Sequence, residues 1–162
     1  MRYAPKAPLF GGFVAANNAN PPVSHGSPTS LVAIINVGAT PQKWPTLGIQ
    51  STVAAAAAFY ATSSDGQFTP NFQFTPPLNV SSCDVSAFSA TATSLYSVLR
   101  ANGYEPNNYD NVTFYTSGCV HLTGVLGIGT VGGRDNFIIS DDSYVASVDQ
   151  TEKSIVHEYG HN

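Results

Sequence analysis

The chain has 162 residues, of which 43% are hydrophobic and only 10% charged, with a formal net charge of -4. That length fits one domain with a buried core. The charged share is far below the roughly 25% of an average soluble protein, so Ser, Thr, Asn and Gly must cover much of the surface, as suits an extracellular protein. No Lys/Arg cluster offers a face for phosphates, which argues against nucleic acid as a partner. The longest apolar stretch, Val53 to Tyr60, falls far short of the roughly 20 residues that a membrane-spanning helix needs.

Residues 1–30 carry Pro5, Pro8, Pro21, Pro22 and Pro28 among Gly and Asn, a composition that breaks helices and sheet ladders and reads as a lead-in or linker. The folded unit is expected over 31–162. Leu31 to Val37, a β-branched run, predicts a strand buried on both faces and central in a sheet. The alanine run within Leu47 to Ala61 predicts a helix ended by Ser-Ser-Asp-Gly. Gln67 to Thr75 alternates aromatic and polar residues, and Pro70 makes it an edge or bulged strand. Asp84 can cap a second helix reaching about Asn102, in which Val85, Phe88, Ala92, Leu95, Tyr96 and Leu99 recur at spacings of three and four, with Gly103 stopping it. Asn111 to Thr116, Leu122 to Val131 and Asn136 to Ser140 read as further strands. The order predicts an α+β (mixed α/β) fold: a twisted mixed sheet of about five strands, two packing helices and a closing helix.

That closing segment contains His157-Glu158-x-x-His161. On a helix, residues four apart lie about 40° from one another around the axis, so both imidazoles leave one face and can converge on one ion. Zn²⁺ takes neutral imidazole nitrogen at roughly 2.0–2.1 Å, and a catalytic site typically uses three protein ligands and leaves a fourth position to water. His157 and His161 are therefore the candidate zinc ligands. Glu158, about 100° around the axis from His157 and about 60° from His161, can flank the metal and act as general base on the metal-activated water, which gives peptide hydrolysis without a covalent intermediate. Ile155 and Tyr159 form an apolar pair on the opposite helix face that would anchor it to the core.

HEYGHN, with Gly before the second His and Asn after it, resembles the opening of the extended metzincin signature. The chain is more specifically similar to the gametolysin-like metallopeptidases, on LVAIINV, FYATSSDGQF, TPPLNV, ANGYEPNNYDNVTFY and CVHLTGVLGIGTVGG ahead of the zinc helix. The likeness spans roughly Leu31 to Asn162. It implies a metzincin-like N-terminal subdomain in which His157 and His161 hold Zn²⁺ and Glu158 is the base. The family pattern places a Gly three positions and a His six positions beyond His161. The expectation is accordingly a fragment of a secreted zinc endopeptidase, poor in zinc retention and weakly active or inactive as it stands. It also implies protein or peptide substrates and a monomer. By the same resemblance an edge strand around Gly127, Ile128 and Gly129 takes the substrate by strand addition. A Gly-rich core strand is the alternative for this segment.

Cys83 and Cys119 could form a disulfide in an exported protein. His121 reads as a loop residue. Asp141, Asp142 and Asp149 lack the spaced pattern of a calcium loop, and Asp149 or Thr151 is expected to cap the last helix. The glycines of 129–133 do not form a phosphate-binding fingerprint. Asn79-Val-Ser81 and Asn111-Val-Thr113 match the glycosylation pattern, but Asn-rich and Ser/Thr-rich chains produce such triplets by accident. Two other readings stay open: a zincin whose third ligand is a Glu on a later helix, and a secreted adhesion or carbohydrate-binding domain carrying a non-catalytic metal motif.

Overall fold

The structure is a computed structural model. It describes residues 14–15, 25–39, 46–120, 125–131, 133–139 and 148–161, with the backbone alone at 14–15 and 148–151. The elements in chain order are β1 (Val14–Ala15), β2 (Thr29–Val37), α1 (Thr46–Ser63), β3 (Asn71–Phe74), β4 (Leu78–Val80), α2 (Phe88–Ala101), β5 (Asn111–Ser117), β6 (Gly127–Val131), β7 (Asp135–Ile139) and α3 (Val148–Tyr159). They form a mixed α/β fold with helices on both faces of the sheet.

The strand order is β1-β6-β7-β5-β2-β3, with β4 also paired to β2. Every pairing is parallel except that of β6 with β7. β2 is central because its residues are apolar on both sides of the pleat, as parallel strands covered by helices require. Leu31, Ala33 and Ile35 meet Val112, Phe114, Phe137 and Ile139 beneath Phe88, Ala92, Leu95 and Leu99 of α2. On the other face, Val32 and Ile34 join Tyr115 and Ile138 beneath Ile49, Val53 and Ala56 of α1 and Ile155 of α3. The periodicity in α2 is thus the stripe that docks it. Asp84 caps a single 3-10 turn ahead of α2, its side chain accepting from the Ser86 N–H, and Gly103 at φ +84° follows its end.

Several expected boundaries differ. The sheet has seven strands instead of about five, because the short segments β1 and β4 are too brief to show a period. Val14–Ala15 lies within the expected lead-in yet pairs with Thr130 and Val131 of β6, and β2 begins at Thr29. The aromatic strand starts at Asn71, after Pro70. β6 begins at Gly127, with residues 125–126 outside any strand; 122–124 and Ser140, the far ends of two expected strands, lie outside the described residues. α3 begins at Val148, so Asp149 and Thr151 sit within its first turn instead of ahead of it. Cys83 and Cys119 are joined by a disulfide that ties the segment after β4 to the end of β5.

Candidate metal centre

The helix that carries the His-Glu-x-x-His motif is held from three sides. Ile155, 2% exposed, enters the core beneath α1. Tyr159 shares a 2.7 Å hydrogen bond with the Ser30 hydroxyl at the start of β2. Its ring packs near Tyr60, Phe68 and Phe72, at centroid distances of 5.6, 6.2 and 5.4 Å. From α1, the Tyr60 hydroxyl donates to the carbonyl of Val156 at 2.5 Å, which fixes the turn that contains His157. The sequence held no trace of this bond, whose partners are 96 residues apart.

With the helix so placed, the two imidazoles converge: His157 Nε2 and His161 Nε2 lie 3.2 Å apart. Two imidazole nitrogens bound to one tetrahedral ion at roughly 2.0–2.1 Å would be separated by about 3.3 Å, so the pair fits zinc. Both rings are half-buried, while Glu158 is 1% exposed. One ligand atom from each of the three side chains falls within a group no more than 4.8 Å across. Burial, together with the neighbouring His157, holds the His161 imidazole below its ordinary range, which favours the neutral form that a metal needs.

Glu158 has the most unusual surroundings. Burial pushes its carboxyl up to about 7, and a hydrogen bond from the Gly129 backbone N–H opposes that rise. Its Oε2 is buried without a hydrogen-bond partner among the described residues. A carboxylate costs several kcal/mol to bury without compensation, so such a group accumulates at sites where chemistry uses it.

The strand beside it explains how the carboxyl fits. A Cβ at Gly127 would lie 2.5 Å from Glu158 Cγ, and one at Gly129 would lie 2.7 Å from the Glu158 carbonyl oxygen and 3.3 Å from His161 Cβ. Only residues without a side chain let α3 come down this closely onto β6. Ile128 points the other way, into the core beneath α2, and Gly127 to Thr130 are all buried. Gly127 to Gly129 pair with β7 on one side, while among the described residues β1 pairs with the outer edge of β6 at Thr130 and Val131. His121, Asp141 and Asp142 and the side chains of Asp149 and Thr151 lie outside the described residues.

No family model matches the chain, and no curated protein matches it. Among solved structures it is similar to archaemetzincin from Methanopyrus kandleri, at 21% identity over 86% of this chain and 75% of that one, with a TM-score of 0.49.

Proposed function

We propose that the chain carries the catalytic helix of a zinc-dependent endopeptidase of metzincin type that hydrolyses peptide bonds in extracellular proteins. The observation that carries this reading is the pair of Nε2 atoms 3.2 Å apart with the buried Glu158 carboxyl in the same cluster. His157 and His161 would hold the ion. Bound there, zinc would supply the Lewis acidity that lowers the pKa of water toward about 7 and polarises the scissile carbonyl. Glu158 is the general base: its carboxyl, buried in the same cluster as the two imidazoles, is placed to take a proton from the attacking water and return it to the departing amine. The Gly129 N–H holds that carboxylate in place, and the backbone of Gly127 to Gly129 is the strand that an extended peptide would pair with. The disulfide supports an oxidising, extracellular setting.

The test is zinc content and peptide hydrolysis measured together in the full-length protein. Glu158→Gln should abolish hydrolysis while keeping zinc, and His157→Ala should lose both. Full activity in the Glu158 variant would overturn the mechanism. Zinc binding with no hydrolysis in the unaltered protein would favour a metal-carrying adhesion domain.

A further inference from the structure

The two glycosylation triplets look alike in sequence but occupy opposite settings in the fold. Asn111 opens β5, between β2 and β7, and is 4% exposed, while its partner Thr113 is 1% exposed. The Asn111 Oδ1 accepts from the Thr113 hydroxyl at 3.4 Å and from the Asn136 amide at 3.5 Å. An oligosaccharide on this side chain would have to leave through a packed sheet face, so a chain modified there could not close its core.

Asn79 is exposed, as is Ser81 two residues on. It lies at the middle of β4, which pairs with β2 alone among the described residues, in the register Asn36 to Asn79. Among those residues β4 is an edge of the sheet, in line with β3. Two residues beyond Ser81, Cys83 is joined to Cys119, and disulfides of this kind belong to oxidising compartments, where glycan transfer also takes place. An edge strand with open backbone groups invites pairing with other chains, and a bulky polar group there blocks it.

We propose that Asn79 carries an N-linked glycan in the exported protein and that Asn111 does not. In the transfer, Asn79 Nδ2 attacks the anomeric carbon of an oligosaccharide carried on a lipid pyrophosphate. The new N–C bond forms as the bond from that carbon to the pyrophosphate oxygen breaks. The lipid pyrophosphate leaves with the electron pair, and Nδ2 gives one proton to a base of the transferase. The proposal stands independently of the peptidase reading.

The experiment is expression of the chain behind an export leader in a eukaryotic secretory pathway, followed by intact mass and peptide mapping with and without an amide-cleaving endoglycosidase. One glycan is expected, on the peptide containing Asn79, with the peptide containing Asn111 unmodified. Asn79→Gln and Ser81→Ala should each remove the whole shift, the second while leaving the acceptor amide in place. Secreted protein unmodified at 79, or modified at 111, would overturn the proposal.

Discussion

The two faces of the sheet are built to different ends. Beneath α2 the sheet is filled with large side chains in close contact: Phe114 stacks on Phe137 at 4.8 Å between centroids, and Phe88 meets Phe137 edge-on at 5.0 Å. The nearby Cys83–Cys119 disulfide belongs to the same cluster. At the β6 end of the opposite face, beneath α3, the strand offers glycines, and a carboxyl fills the space with one oxygen unpartnered among the described residues. The first arrangement maximises packing. The second gives up packing and solvation to hold three polar groups in one cluster, which is where a protein is expected to depart from its own stability rules.

The largest expected effect separates the faces directly. Phe137 is fully buried and touches both Phe88 and Phe114, so Phe137→Ala should cost about 3–5 kcal/mol of unfolding free energy through lost transfer energy and a residual cavity. Chemical denaturation measures it. A loss below about 1 kcal/mol would mean that the α2 face is not the packed core described.

Much of that packed face was legible in the sequence. The LVAIINV run, apolar at every position but one, could be satisfied only between two helical layers, and the three-and-four spacing from Val85 to Leu99 announced a one-sided helix. β4 was not legible, because three residues between Pro77 and the Cys83 turn carry no period; its pairing follows from where β2 already lies. The motif face was legible in another way. The spacing of His157, Glu158 and His161 indicated convergence, but the role of the neighbouring glycines was hidden. The resemblance offered their strand to a substrate peptide, whereas the space a side chain would take at Gly127 is filled by Glu158 itself. The Tyr60 bond to Val156 was invisible, since nothing local in Phe59-Tyr60-Ala61 points to a carbonyl on a distant helix.

The second prediction concerns the cost of the buried carboxyl. Glu158 moves from an ordinary value of 4.5 to about 7 on folding. A carboxyl with a raised folded value binds its proton more tightly in the native state, so the stability it contributes is present below pH 4.5 and is lost as pH rises through about 7. At about 1.4 kcal/mol per pH unit, the loss amounts to about 3 kcal/mol in metal-free protein. Glu158→Gln removes the ionisation. Unfolding midpoints in the presence of a chelator should therefore converge for the two proteins near pH 4.5, with the variant gaining stability at pH 8. Parallel curves across that range would show that the carboxyl is not desolvated in the folded protein.

The smallest effect tests the glycine strand, and it sharpens the contrast because it adds atoms where Phe137→Ala removes them. At Gly129 a new Cβ meets the backbone carbonyl of Glu158 at 2.7 Å and the carbon chain of His161 at 3.3 Å. A helix carbonyl cannot rotate aside as a flexible side chain can, so α3 must shift away from β6. Overpacking of this kind costs about 1–3 kcal/mol. The functional consequence should exceed the energetic one, because the same displacement moves Glu158 and His161 relative to the strand. Gly129→Ala should accordingly weaken zinc retention while the α2 face, read through the near-ultraviolet signal of its aromatic residues, stays intact. Gly127→Ala provides the internal comparison. Its Cβ would strike Glu158 Cγ at 2.5 Å, an atom that moves aside only by turning the buried side chain about χ1. It should disturb the carboxyl more than the helix, affecting hydrolysis before zinc retention. If both substitutions left zinc binding and hydrolysis unchanged, the close approach of α3 to β6 would have no part in the site.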